Sequence, residues 1–400
     1  MKRTIVGLLT CAAVTLFLLP QGFAAGKPDK LYTGILADLS GPYAPTVGSF
    51  KAGAEDAWNY INKEKGGIQG VPVEPLSRDN GGKVAVALAQ YNELINMKPR
   101  PIFIDTAFTP LAEALRPRYV EDDMIGIHAG ALVSVYPLAN SYAYYPMYDE
   151  WYAFAAKWFK DNWKEKRNPR VGIVTWDTAY GRAMLTEKFF AYLKEIGVDL
   201  AGEPQLFGIK DVDVTTQLMK VREWKSDIVF SCIVAGGPLA VKKGMKEMGW
   251  DVPYVANGVD EGTVKLDTVV LDGVYAQRAM LSWDETDQPA VKLMLEQIKK
   301  NSRTDKDMSA FYLIGWMTAA VEHKAMNEVV QKRGWDGLTT KNLKAAMNEV
   351  KDFMPWGGLT KVTYTAKRPV PSHMRMYQAK QGKILPVSDW GEVPNFLPAE

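Results

Sequence analysis

The chain has 400 residues, of which 47% are hydrophobic and 24% charged. That balance describes a globular protein of about two domains and excludes a disordered or fibrous one. The formal net charge is +2, and Lys2 and Arg3 supply the excess, so the remainder is neutral and has no electrostatic reason to seek nucleic acid or an anionic membrane.

Lys2 and Arg3 precede an apolar run from Ile5 to Leu19 that is too short for a comfortable membrane span. Gly22 and Ala24 supply small residues for processing, so residues 1–24 read as a secretory signal peptide cleaved after Ala24. Thr10 is a poor residue ahead of a lipid-anchored cysteine, and apolar sequence continues past Cys11, which argues against a lipoprotein. Cleavage leaves Cys232 as the sole cysteine. It lies in the apolar run DIVFSCIV and reads as a buried small hydrophobe with no disulfide partner. No later segment has the apolar run of a membrane helix.

The mature part begins with a strand, TGILADL, then a loop, SGPYAPTVG. Phe50, Ala54, Ala57, Trp58 and Ile61 follow on one face of a helical period, and Gly66 and Gly67 end that helix. VPVEPLSRDN is the next strand, and Val84, Ala87, Leu88, Tyr91 and Ile95 mark a helix over 84–97. Strand PIFI, loop DTAFT, a helix opening at Pro110 and strand MIGI complete a first block. A second block opens with an aromatic-rich helix over 150–164, where Trp151, Phe154 and Trp158 read as core packing. Strand RVGIVT leads to loop WDTAYG and a helix striped by Leu185, Phe189, Tyr192, Leu193 and Ile196. SDIVFSCIV leads to AGGPL and a helix, and VPYVAN leads to GVDEG. The segment WGGLTKVTYTAKRPVP reads as edge strand and linker. This alternation predicts α/β lobes, each a parallel sheet with helices on both faces, and ligand-contacting loops at the carboxyl ends of the strands.

Ser40-Gly41-Pro42 after the first strand, AGAEDAWNYIN in the helix, GGIQGVPVE at the turn and RDNGGKVAVALAQ beyond it carry a resemblance. Together they resemble the type I periplasmic solute-binding proteins of ABC importers, within them the branched-chain amino-acid-binding family, from about Leu31 to about Lys383. The resemblance implies two similar doubly wound lobes joined by a three-crossover hinge near Tyr145-Pro146, Trp283–Gln288 and Pro369–Ser372. Lobe 1 would then be 28–145 plus 286–370, and lobe 2 would be 146–285 plus 371–400. It also implies a monomer that captures an amino acid or small carboxylate between the lobes and delivers it to a permease in the inner membrane.

The enzyme alternative finds little chemistry. The chain has no G-x-S-x-G elbow, P-loop or dinucleotide fingerprint. His128, His323 and His373 are scattered without metal-ligand spacing, though His128 follows strand MIGI and could reach a cleft. No catalytic residue, metal or cofactor is expected. A sensor of amides, urea-like compounds or aromatic acids, and a secreted hydrolase, stay as alternatives.

Thr109 suits a helix N-cap with Pro110 in the first turn, and such a helix end can hold a carboxylate. The resemblance implies that hydroxyl residues here, Thr106 and Thr109, grip the ligand's carboxylate together with a second loop. That loop reads HAGALVS and retains only Ser134, a departure from the family. The resemblance further implies that Tyr180 touches ligand and that Asp260 or Glu261 meets an ammonium, since an unpaired buried charge is costly. Tyr43, Phe108 and Trp283 are candidate apolar walls, fitting a bulky or aromatic ligand.

Overall fold

The computed structural model describes residues 26–129 and 140–397. The expected signal peptide and Ser134 lie outside them. The first sheet contains β1 (Leu31–Ala37), β2 (Val73–Asp79), β3 (Ile104–Thr106), β4 (Gly126–His128) and β5 (Ser141–Ala143). Its order is β2-β1-β3-β4-β5, with every pairing parallel. Helices α1 (Ala44–Tyr60), α2 (Val84–Ile95) and α3 (Thr109–Glu121) connect these strands.

In the second block α4 (Tyr148–Asp161) precedes β6 (Arg170–Trp176), α5 (Ala179–Arg182), α6 (Glu187–Glu195), β7 (Asp199–Leu200) and β8 (Gln205–Phe207). Helix α7 (Thr215–Glu223), β9 (Ile228–Ser231), α8 (Gly237–Glu247), β10 (Tyr254–Ala256), α9 (Glu261–Val264) and β11 (Tyr275–Arg278) continue it. Three further helices, α10 (Pro289–Lys300), α11 (Ala310–Arg333) and α12 (Thr340–Asn348), come next. They pack with the first block: Arg303 after α10 grips Asp56 of α1 at 2.8 Å, and the Thr340 hydroxyl donates to the Asp123 carbonyl. Strands β12 (His373–Lys380), β13 (Lys383–Pro386) and β14 (Gly391–Glu392) then join the second sheet. Its path is β13-β12-β11-β10-β9-β6-β7, parallel except where β12 pairs antiparallel with β11 and β13.

The chain therefore passes between the two sheets three times, through residues 144–147, 279–288 and 349–372. This is the two-lobed doubly wound architecture that the periodicity and the resemblance predicted. Parallel strands need crossover helices, and helices on both faces bury both sides of each sheet.

The predicted stripe of α1 is buried throughout: Phe50, Ala57 and Ile61 have no exposed surface. Its partner is the 24-residue α11. The two helices touch backbone to backbone at a pair of glycines. A Cβ on Gly53 would sit 2.1 Å from the Tyr312 carbonyl oxygen, and one on Gly315 would sit 2.4 Å from that of Phe50. Only glycine permits this approach.

Two local expectations change. Thr109 is the first residue of α3 and its side chain caps nothing; the cap position is Phe108, whose N–H donates to Thr106 Oγ1 at 3.1 Å. The WGGLTKVTYTAKRPVP segment forms no strand beyond a bridge between Phe353 and Val362. Trp356, Gly357 and Gly358 all have positive φ and turn the chain, and Pro369 and Pro371 lack an N–H for a ladder.

Candidate ligand-binding cleft

The carboxyl ends of both sheets face one cleft with about 710 Å³ of space not filled by protein, part of it open to solvent. From the first lobe come Tyr43, Thr46, Ala107, Thr109 and Ala129, with Ala310, Phe311 and Ile314 of α11. From the second lobe and its crossovers come Tyr145, Tyr148, Trp151, Tyr180, Val234, Asn257 and residues 277–280.

The first wall is organised by Asp38. Its carboxylate accepts from Gly41 N (2.6 Å) and Tyr43 N (3.0 Å), which shapes the loop between β1 and α1 and presents Tyr43. The Tyr43 ring lies 5.5 Å from Phe108 and meets Trp176 of the other lobe edge-on at 6.5 Å. Burial raises its phenol pKa, while a hydrogen bond with the Thr178 side chain works the other way. Tyr43 thus bridges the lobes.

The second wall is an aromatic cage built on the start of α4. Tyr145 meets Trp151 edge-on at 4.8 Å, Tyr148 meets Tyr180 at 5.2 Å, and the Tyr145 and Tyr148 hydroxyls share a hydrogen bond of 2.8 Å. Trp151 Nε1 donates to the Pro146 carbonyl in the first crossover. The polar groups converge at the ends of β10 and β11: Asn257, Gln277 and Arg278. Arg278 Nη1 donates to Glu261 Oε1 at 2.7 Å, and that oxygen also accepts from Ser282 Oγ (2.7 Å) and Trp283 N (2.8 Å). Burial opposes the charge of Arg278, but Glu261 outweighs it and holds its pKa above the ordinary value.

Of the residues singled out in the sequence, Tyr43, Thr109 and Tyr180 line the cleft. Phe108 and Thr106 are buried behind the first wall. Asp260 and Glu261 stand behind the second, both already engaged by protein donors. Asp260 accepts from Thr263 N and Ala310 N, and burial followed by the charge of Glu261 raises its pKa. Trp283 is buried against Tyr312 at 5.6 Å. His128 is buried under Tyr119, and its pKa is pushed down to about 4 by burial. Sequence reading missed Gln277 and Arg278. Their signal was a lone cation inside the apolar run GVYAQRAM. It also assigned Trp151 to the core, because an aromatic stripe at helical spacing does not say which end of the helix opens on a cleft. Among the described residues no group of three or more metal-ligating side chains comes together, and no helix is long and apolar enough to cross a membrane.

Two doubly wound lobes, three crossovers and a cleft between strand ends define a type I solute-binding protein. The family model for periplasmic binding proteins matches residues 30–383, and the chain belongs to that family. The family implies an extracytoplasmic location and a binding role. Solved structures with the same fold include a branched-chain amino-acid ABC transporter protein from Thermus thermophilus with bound valine. It has a TM-score of 0.81 and 17% identity, over 91% of this chain and 96% of that one. A fatty-acid ABC transporter substrate-binding protein from Thermomonospora curvata aligns with a TM-score of 0.78 and 19% identity, over 94% and 96% of the two chains. An R. palustris solute-binding protein in complex with 4-hydroxybenzoate gives 0.77 and 19%, over 92% and 98%. No curated protein sequence matches the chain.

Proposed function

We propose that this chain is the solute-binding component of an ABC importer, exported to the periplasm with cleavage after Ala24, and that it delivers a small carboxylate or amino acid to a membrane permease. The observation that carries this reading is the cleft itself. It is walled by aromatic side chains from both lobes, with three polar side chains converging at strand ends, the usual make-up of a small-molecule site. The solved relatives carry valine and 4-hydroxybenzoate, both small carboxylates. The lobes are 28–145 plus 286–370 and 146–285 plus 371–400, and they close as rigid bodies about the crossovers. A monomer suffices, since each cleft is completed within one chain.

Calorimetry and small-angle scattering on the mature protein test the reading. One solute per chain should bind without turnover, and the radius of gyration should fall on binding. Turnover of the bound compound, or an unchanged radius at saturation, would count against it.

A further inference from the structure

Arg278 is 4% exposed, lines the cleft, and is only partly used by the protein. Glu261 takes Nη1, whereas Nε and Nη2 have no partner. Those two nitrogens form one edge of the guanidinium, the fork that receives a carboxylate through two parallel hydrogen bonds. The Arg278 head is held on its other sides by Glu261 and by the Tyr377 ring, 5.5 Å from Cζ. A buried guanidinium with an idle fork is costly, so the site is built for something that fills it. Beside it Gln277, with no exposed surface, has both side-chain heteroatoms without partners.

The charge of the lining narrows the ligand further. Arg278 is the one formally charged side chain among the described residues of the cleft. Residues 130–139, GALVSVYPLA, contain no acidic residue. Asp260 spends both carboxylate oxygens on backbone N–H groups, while Glu261, which does not line the cleft, holds Arg278, Ser282 and Trp283 through Oε1 and leaves Oε2 without a partner. An ammonium brought into this cleft would have to share Glu261 with Arg278, and two buried cations on one carboxylate leave a net buried charge that is strongly disfavoured. The aromatic cage of Tyr145, Tyr148, Trp151 and Tyr180 supplies the apolar remainder.

Resting on the solute-binding reading, we propose that the ligand is a monocarboxylate with an aromatic or bulky apolar body and no charged amine, its carboxylate seated on the Nε–Nη2 edge of Arg278. This reverses the polarity drawn from the sequence, in which Asp260 or Glu261 meets an ammonium.

The test uses matched pairs on the mature protein: 3-phenylpropanoate against phenylalanine, and 4-methylpentanoate against leucine, measured by calorimetry. In at least one pair the acid should bind tenfold or more tightly than the amino acid. 3-Phenylpropanamide, which keeps the body and loses the charge, should bind far more weakly than its acid. Arg278→Gln should weaken binding of the acid about thirtyfold or more. Because that change strands Glu261, the double variant Arg278→Gln/Glu261→Gln, which removes both charges, is measured alongside and should show the same loss. Tighter binding of either amino acid than of its acid, equal binding of acid and amide, or an undiminished affinity in the double variant overturns the proposal. So does failure of all four carboxylic compounds to bind at millimolar concentration. In each of these cases the solute-binding reading is judged separately, by whether any other solute contracts the protein.

Discussion

Asp260 and Ala310 face each other across the two lobes. Asp260 belongs to the turn after β10 of the second sheet, and Ala310 opens α11, which packs on α1 of the first. Asp260 Oδ2 accepts the Ala310 N–H at 3.2 Å, while Oδ1 accepts Thr263 N at 2.8 Å and caps α9. A carboxylate at the N-terminal end of a long helix also meets the positive end of its dipole.

That contact joins the two lobes directly, and under the proposed closure it would hold them together. Asp260→Asn turns an acceptor toward Ala310 N–H into a neutral or donating group. A hydrogen bond to a charged group is worth about 1.5–3 kcal/mol, so affinity should fall about tenfold or more for any ligand, aminated or not. Scattering from the unliganded variant should give a larger radius of gyration than the parent. An affinity loss confined to amino acids would instead return Asp260 to the role of ammonium partner.

Tyr180 packs against Tyr148 at 5.2 Å and Trp176 at 6.4 Å and lines the cleft. Tyr180→Ala should weaken ligand binding with a stability loss below the roughly 3–5 kcal/mol of a large aromatic core truncation. Calorimetry gives the first quantity and denaturant unfolding the second. A full core-sized loss of stability with unchanged affinity would mark Tyr180 as packing alone.

Asp105 and Glu322 are two carboxyl groups that influence each other inside the first lobe, both essentially without exposed surface. Burial raises both pKa values, and Asp105 raises that of Glu322 further, so the folded pair retains a proton that the unfolded chain releases. Raised carboxyl values mean that stability is fully present in acid and is lost as pH rises above about 4, the ordinary carboxylate range. Asp105→Asn removes one charge and keeps an oxygen for Ile127 N, which now donates to Asp105 Oδ1 at 2.6 Å. The variant should be more stable than the parent at pH 8 and show a flatter pH dependence in thermal melts. Parallel melting curves across that range would contradict the pairing.

Arg368 and Glu150 join the third crossover to the first turn of α4. Nη1 and Nη2 of Arg368 donate to the two Glu150 oxygens at 3.0 and 2.7 Å, and Glu150 is fully buried. Glu150 also accepts from Met147 N and Phe396 N. Arg368→Ala strands that carboxylate, and breaking such a buried pair costs about 3–5 kcal/mol. Urea unfolding should report that loss, and Arg368→Ala/Glu150→Gln should recover part of it. A loss below 1 kcal/mol would show that water replaces the guanidinium.

Local pattern carried much of this protein. The stripe Phe50, Ala54, Ala57, Trp58, Ile61 identified α1, and strand-helix alternation led to the α/β class, because side-chain periodicity is a property of neighbours in the chain. Loops at strand ends placed Tyr43, Thr109 and Tyr180 near the cleft for the same reason. The polarity of the site belonged to the tertiary structure. GVDEG displays two carboxylates in sequence, yet one is capped by α11 and the other is neutralised by Arg278, 17 positions away. Which buried charge stays unpaired depends on which ions fold against each other, and no local pattern records that. The meeting of Gly53 with Gly315 is of the same kind: an ordinary helical glycine in the chain, and a backbone contact only once α1 and α11 cross.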